Sequence, residues 1–527
     1  MNRMRFEWVV AFLAPLLLLA MNNASAQSPG DTIGWTMYDY QTSCSAGQRV
    51  VLDSTGGAHV VWLGGGFPGP LGTYYNYIDA QGNVLYPGGI TISNGGYPQI
   101  AVNSLNQPGI AYHTADSIMY YTPSGEYRVA GSGYWPAVSI DRNDRVHVVY
   151  GTYEPPFLPL FIEYTRSNNG GPNWTTPALV DTTYNPSYTI TSSPVSNKVV
   201  ITYLHSIYSS SYWKNDVYYI QSRNGVIWPW LDGKINITNY GNGPLFAGAD
   251  CDAVYDYNDN LHVIWNAQTV SDSGLGDIAY LYHYDVATGV ISLITLSPPD
   301  WPDSGCEPGV WNRPVCKMSI GTSGDNVLFV TYTRFNPGDC SAGGYANGEI
   351  YAQYSSDGQV WSAPINLTNS PTPGCLAGDC NSDHWSSMAE RIDDYLHVIY
   401  VNDKDAGGVP QTEGSVTNNP MLYLRYPLAQ IGIGEPEIIP IEFETLTNYP
   451  NPFNARTRIE FTLDQGADVR LVVYDVKGAL VTTLVNAHFE AGKHEATWSP
   501  GDISSGVYSY RLSTNEGSRT KRMVLLK

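Results

Sequence analysis

The sequence predicts an all-β chain, a seven-bladed β-propeller followed by a small β-sandwich. Three observations carry that prediction. The first is a hairpin that recurs. Its clearest copies are VLDSTGGAHVVW (51–62), SIDRNDRVHVVY (139–150), AVYDYNDNLHVIW (253–265) and AERIDDYLHVIY (389–400). Weaker copies are AVNSLNQPGIAY (101–112), SSPVSNKVVITY (192–203) and MSIGTSGDNVLFVTY (318–332). Each reads as an apolar strand, a polar turn and a strand closing on an aromatic: Trp62, Tyr112, Tyr150, Tyr203, Trp265, Tyr332 and Tyr400. A strand unit repeated at such intervals points to a propeller or another repeat array. The second observation is a Tyr-rich strand after each hairpin, as in TYYNYID (73–79), DVYYIQS (216–222) and EIYAQYS (349–355), usually followed by a fourth strand across a tight turn. The third is a run of alternating strands near the C-terminus, TRIEFTL, VRLVVYD, HEATW and GVYSYRL.

The first 26 residues read as an export signal. Arg3 and Arg5 precede the apolar run WVVAFLAPLLLLAM (8–21), and Ala24-Ser25-Ala26 offers a small-residue cleavage site. No other segment is long enough to span a bilayer, so no membrane span is expected after cleavage. The net charge of -21 argues against nucleic acid or an anionic membrane as partner. Export permits disulfides. Seven cysteines leave at least one unpaired; Cys375 with Cys380, or Cys306 with Cys316, could close small loops, and connectivity stays open. None of the spacings suits zinc or haem, and no cofactor is expected.

The propeller is assigned to residues 27–430. Its last blade lacks a fourth strand after MLYLRY (421–426), and the N-terminal stretch TIGWTMYDY (32–40) has strand character but no blade of its own. That stretch is expected to supply the missing outer strand and so remove an open edge. Residues 431–446 lose the pattern and read as a linker around Pro436 and Pro440. The sandwich occupies 447–527.

Two resemblances follow. The turn Ser167-Asn168-Asn169-Gly170-Gly171-Pro172-Asn173-Trp174, with shorter forms SSDGQVW (355–361) and SRNGVIW (222–228), resembles the Asp-box of sialidase-like propellers, a folding element of enzymes and non-enzymes alike. The C-terminal stretch resembles the type A C-terminal sorting domain of type IX secretion substrates. Tyr449-Pro450-Asn451-Pro452-Phe453-Asn454, Val473-Tyr474-Asp475, Gly492 and His494 before Trp498, Ser505-Gly506-Val507-Tyr508 and the basic end KRMVLLK carry that resemblance. It implies an immunoglobulin-like sandwich, a Gram-negative-type cell, delivery by the outer-membrane secretion machinery, and a location on the outer surface or in the medium.

Function is sought in the loops. In an antiparallel A-B-C-D blade the A–B and C–D turns share one face, and the B–C loops and D–A connections share the other. The A–B turns here are short, so the long segments crowd one face, where binding usually resides. Candidate ligand contacts there are Tyr153, Tyr212, Trp213, Trp301, Trp311, Arg313, Arg334 and Trp385. His59, His147, His262 and His397 occupy one place in four hairpins, but Gly109, Val200 and Phe329 or a near neighbour fill it in the others, which speaks for packing over metal binding. The acidic turns 141–144, 256–259 and 393–394 lack full calcium-loop spacing and suit turn capping. No catalytic residue is assigned. A sialidase-like hydrolase would need an arginine cluster; Arg49 sits in a poor match to its first segment, and only Arg313 and Arg334 reach toward the loop face. The expected role is extracellular binding of a glycan or surface protein. A sialidase-like glycoside hydrolase and a structural envelope component are the alternatives.

Overall fold

The computed structural model describes residues 27–431 and 446–527, except 44, 46, 154–158, 209–211, 242, 272–273, 299, 302–304, 464–465, 476–479, 502 and 515–516. The expected signal segment and nearly all of the expected linker lie outside the described residues. Strands dominate, joined by turns and short 3-10 pieces such as Val409–Gln411.

Every hairpin read in the sequence is an antiparallel pair, with Val51 opposite His59, Ala101 opposite Gly109, Ser139 opposite His147, Thr191 opposite Val200, Val254 opposite His262, Gly321 opposite Phe329 and Met388 opposite Val398. The strands Tyr134–Ile140, Val146–Tyr153, Leu160–Ser167 and Ala178–Thr183 show the unit in full, a four-stranded meander paired in chain order. The polar turn is satisfied by its own first side chain. Asp141 Oδ1 accepts the N–H groups of Asn143 (2.9 Å) and Arg145 (3.1 Å). Asp53 does the same for Thr55 and Gly57, and Asp256 for Asn258 and Asn260. A tight turn then costs no unpaired amides.

The closing aromatics explain how the units pack. Trp62, Tyr112, Tyr150, Tyr203, Trp265, Tyr332 and Tyr400 are all fully enclosed. Each anchors an apolar cluster drawn from two consecutive units. Tyr150 lies with Ala111, Ile118 and Tyr120 of the preceding unit, and Tyr332 with Val254, Ile264 and Leu281. A single four-stranded sheet cannot cover its own two faces, so each buries them against its neighbours. The last cluster joins the final unit to the first: Trp385, Ile399 and Val401 pack on Val50, Val60 and Trp62. The strand Asp31–Thr36 runs antiparallel to Asn419–Pro427 at the same junction, pairing Asp31 with Tyr423 and Thr36 with Asn419.

Cys306 bonds Cys340, and Cys375 bonds Cys380, while Cys251 and Cys316 are buried thiols. Cys316 is not the partner of Cys306 because it lies on the inner strand Val315–Ser323, facing Asn312. A parallel bridge between Glu307 and Tyr345 instead brings Cys306 to Cys340.

The C-terminal region has two sheets. One holds Leu446–Tyr449, Thr457–Leu463 and Gly492–Trp498; the other holds Leu480–Phe489, Ala467–Tyr474, Gly506–Thr514 and Gly517–Leu525. Alternation puts Ile459, Phe461, Val469, Leu471, Tyr510 and Leu512 between them. Phe453 enters the same core against Trp498, its N–H donating to the carbonyl of Val524 (2.9 Å). Gly506 opens its strand opposite Leu525, and the Tyr508 hydroxyl donates to the Ser504 carbonyl (2.7 Å). The peptide bonds before Pro450 and Pro452 are cis, and Tyr449 between sheet and turn is largely exposed. Among the described residues no helix is long and apolar enough to cross a membrane.

Candidate functional site

The inner strand of several units begins with an irregularity. The register slips between Gly96 and Gln99, Tyr134 and Ala137, Cys316 and Ser319, and His384 and Ser387. Within each slip one residue is left-handed: Tyr97 (φ 52°), Trp135 (φ 51°), Lys317 (φ 51°) and Trp385 (φ 53°). A bulge of this kind re-aims one side chain, and the left-handed backbone costs on the order of 1 kcal/mol per non-glycine residue. The bulges at Tyr97 and Trp135 aim their rings toward one end of the inner strands, whereas Lys317 and Trp385 are buried.

A cleft of about 250 Å³ opens there. Tyr97 and Trp135 line it from the bulges, Tyr38 and Tyr40 from the link after Asp31–Thr36, Tyr153 from the end of a second strand, and Tyr184, Tyr212, Trp311 and Gln411 from connecting loops. Its described walls thus come from B–C loops, D–A connections and the strand ends beside them.

The rings are held in place. The Tyr38 and Tyr97 hydroxyls hydrogen-bond each other (2.8 Å), and Tyr97 stacks on His113, 5.4 Å between centroids. The Trp135 N–H donates to His113 Nδ1 (2.9 Å), and the Trp135 carbonyl accepts from the Tyr188 hydroxyl (2.9 Å). Tyr153 meets the Trp135 ring edge-on at 5.7 Å. Opposite them Tyr212 meets Trp311, Trp213 packs behind Trp311, and the Arg313 guanidinium caps Trp213 at 4.1 Å. Rings fixed this way lose little freedom when a ligand arrives.

The described lining of the cleft is uncharged. None of its described lining residues is Asp, Glu, Lys, Arg or His. Burial pushes the Tyr38 and Tyr97 hydroxyls up, so both stay protonated. Burial also pulls His113 down to about 4, leaving it neutral at pH 7. Among the described residues, buried carboxyls lie behind the lining. Asp39 accepts the N–H of Val409 (2.9 Å) and is pushed up to about 7 by burial and then by Asp403. Asp403, fully enclosed, is pushed up to about 8, and His384 Nε2 stands 3.6 Å from its Oδ2.

The sequence-derived candidates divide. Tyr153, Tyr212 and Trp311 line the cleft, and Trp213 with Arg313 forms the layer behind. Trp301 is buried against Phe335 beside the Cys306–Cys340 bond. Trp385 is fully enclosed under Tyr40, because its bulge turns it into the junction between the last and first units. Arg334 lies flat over Tyr351 on a neighbouring strand, 5.0 Å from the ring, so the two arginines do not form a cluster. The four histidines face Tyr hydroxyls or another imidazole, and among the described residues no set of three His, Cys, Asp or Glu side chains could hold a metal. Sequence reasoning missed Tyr97, Trp135, Tyr38 and Tyr184. The available signal was an aromatic before proline at the start of an inner strand, Tyr97-Pro98 and Trp135-Pro136.

Residues 447–526 match the family described as the secretion system C-terminal sorting domain. The protein is exported to the cell surface or the extracellular space of a Bacteroidetes-type bacterium. The sorting domain implies delivery by the type IX machinery. No curated protein sequence matches the chain. Among solved structures, it is similar to the polysaccharide lyase Uly1 (9% identity, 76% of this chain and 94% of that one, TM-score 0.44). It is also similar to the β-propeller domain of the Trilobed protease from Pyrococcus furiosus (9% identity, 72% and 96%, TM-score 0.36). A third is the GH93 α-L-arabinofuranosidase of Fusarium graminearum (11% identity, 63% and 93%, TM-score 0.36). At such TM-scores these likenesses bring no chemistry to this chain.

Proposed function

We propose that the protein is an extracellular binder of neutral glycan segments, gripped in the aromatic cleft and presented outside the cell by its sorting domain. In this reading residues 27–430 are a seven-bladed propeller closed by the strand at 31–36. Residues 431–446 are a linker, and 447–527 an immunoglobulin-like sandwich. The paired apolar clusters and the junction of Trp385 with Trp62 support the ring. The observation that carries the ligand class is the lining itself, fixed rings with hydroxyls and a Gln amide and no ionic group among its described residues. Sugar rings present C–H faces that suit aromatic planes and hydroxyls that suit neutral donors and acceptors. A surface protein would be met by the rim of the same cleft.

Hydrolysis of a glycoside needs two carboxyl groups flanking the bond. Asp39 and Asp403 have the raised acidity constants of a general acid, but both are fully buried, so binding without turnover is favoured. The test is an array of neutral oligosaccharides with calorimetry on the hits. Trp135→Ala and Trp311→Ala should each weaken binding about tenfold, consistent with the loss of one stacked ring. Sugar release abolished by Asp39→Asn would establish the hydrolase instead, and absence of any binding would leave the envelope-component role.

A further inference from the structure

Another cavity, of about 270 Å³, opens at the far end of the inner strands. The strands that carry Tyr97 and Trp135 at the aromatic cleft end here, at Val102 and Ile140. Ser104 and Arg142, exposed on the short A–B turns, stand at its rim. Much of its wall is aliphatic: Val51, Leu52, Ile100, Ala101, Val138 and Ile140. No aromatic ring is among its described lining residues.

Most of the charged side chains in the lining are already engaged. Asp141 accepts from Arg145 and His147, Asp144 accepts from the Ser104 N–H and hydroxyl, and Arg142 donates to the Val195 carbonyl. Arg391 donates to the carbonyls of Tyr255 (2.7 Å) and Ser192 (3.5 Å). Two side-chain oxygens are left over. Glu390, half-buried, reaches across to the inner strand Tyr188–Ser192, where its Oε1 accepts from the Thr191 hydroxyl (3.1 Å). No described residue donates to its Oε2. Gln48 donates from Nε2 to the carbonyls of Val50 and Met388, and no described residue donates to its Oε1. Burial holds the Glu390 carboxyl above its usual range, although Arg391 and the Thr191 hydroxyl pull it down. A carboxylate so placed gains by meeting a cation.

We infer that this cavity binds a primary ammonium group on a short alkyl chain, with the ammonium donating to Glu390 Oε2 and the chain against the aliphatic wall. An ammonium carries three donors and no acceptor, which suits a corner where the unpaired side-chain atoms are Glu390 Oε2 and Gln48 Oε1. Other cations fit less well. A quaternary ammonium would seek aromatic faces, and none lines the described cavity. A guanidinium would seek both carboxylate oxygens, and Thr191 holds one of them. Calcium would need six or more oxygens, and no described set of three acidic, His or Cys side chains could hold a metal. The net charge of -21 favours the approach of a cation. The site lies apart from the aromatic cleft and does not depend on the glycan reading.

Calorimetry on the intact protein tests this with pentylamine and 1-pentanol, which share a chain and differ in the charge of the head. Pentylamine should bind at least about tenfold more tightly than 1-pentanol. Glu390→Gln should weaken pentylamine by about tenfold and leave 1-pentanol unchanged. Crystals soaked in pentylamine should place its nitrogen beside Glu390. If the variant fails to fold, the wild-type comparison of the two heads and the soaked crystal decide. Nα-acetyl-lysine methylamide separates the sources: affinity like that of pentylamine points to a lysine side chain, and its exclusion points to a free amine. Absence of pentylamine binding, equal affinity for the alcohol, or pentylamine affinity unchanged in a folded Glu390→Gln overturns the inference. Calcium binding that Glu390→Gln removes, without binding of either amine, overturns it as well.

Discussion

His147 Nε2 stands 3.2 Å from Asp141 Oδ2, and its Nδ1 stands 2.8 Å from the Tyr164 hydroxyl, so one imidazole ties a turn to the third strand of its unit. Burial opposes ionisation of Asp141, but hydrogen bonds from His147 and Arg145 outweigh it and hold the carboxyl well below its usual range. His397 repeats the arrangement with Asp393 (2.9 Å) and Tyr423 (2.5 Å). His147→Ala should therefore cost about 3 kcal/mol in urea unfolding, since it strands two buried polar groups. Chelators should leave the wild-type midpoint unchanged. A loss near that of an exposed substitution would show the bridge to be idle.

That column of histidines was visible in the sequence, yet its role was not. Interchange with Gly109 suggested mere packing. The structure gives the reason for the interchange: the Tyr120 hydroxyl fills the space over Gly109 that an imidazole occupies elsewhere. Hairpins, turn caps and closing aromatics were legible because each depends on neighbours within a dozen residues. The cleft was half legible. Tyr153, Tyr212 and Trp311 sit in loops whose length betrayed them, whereas Tyr97 and Trp135 reach the cleft through a bulge that no local spacing reveals. Trp385 shares that bulge and points into the protein, so its burial could be read only from the partners around it.

Stability should fall as pH rises from about 6.5 to about 8. Burial raises Asp39 and Asp252 to about 7, Glu349 to about 7 and Asp403 to about 8. The folded protein then holds protons that the unfolded chain releases near pH 4. Each such group stabilises fully below about pH 4 and loses that contribution as pH climbs through its folded value. Asp53, Asp181 and Asp256 are lowered and act oppositely, losing stability as pH falls below about 4. Burial pulls His113, His283 and His384 down to about 4, about 3 and about 4, so these groups add stability as pH rises toward about 6.5. The midpoint at constant ionic strength should therefore peak near pH 6.5 and fall beyond it. Asp403→Asn should flatten the alkaline limb, and a midpoint flat or rising between pH 6.5 and 8 would refute the assignment.

The two disulfides should contribute unequally. Cys306–Cys340 closes a separation of 34 residues and Cys375–Cys380 one of 5. Loop-closure entropy alone gives about 4 and about 2 kcal/mol. Paired Cys→Ser variants, compared by denaturant midpoint, should preserve that order. The first also anchors Trp301 and Phe335, so its loss should be the larger even if residual structure in the unfolded chain narrows the gap.

In the sorting domain, Phe453 and Tyr449 separate folding from recognition. Phe453 is buried on Trp498, and Phe453→Ala should cost about 3–5 kcal/mol in the isolated stability transition of that domain. Tyr449 is 80% exposed, and Tyr449→Ala should leave that transition in place. Export lost in Tyr449→Ala with the fold intact would make Tyr449 a contact for the secretion machinery. Export unchanged would restrict recognition to other parts of the domain.

The junction at Asp31–Thr36 can be tested without truncation. Gly34 pairs with Met421, and a Cβ at Gly34 would run into the indole of Trp62. Trp62 is fully enclosed at the core of the cluster that joins the last unit to the first, so it has nowhere to move. The segment is also tied further back, where Asn402 Nδ2 donates to Ser28 Oγ (2.8 Å) and the Tyr400 hydroxyl to the Pro29 carbonyl. Gly34→Ala should then destabilise by about 1–3 kcal/mol through overpacking, while Thr32→Ala on the exposed side should stay within about 0.5 kcal/mol. If the strand were a loosely attached tail, the added methyl would push it aside at no cost, and the two variants would unfold together. If it closes the edge of Asn419–Pro427, Gly34→Ala should also increase aggregation at temperatures below the midpoint, because peeling it back uncovers a row of unpaired backbone groups.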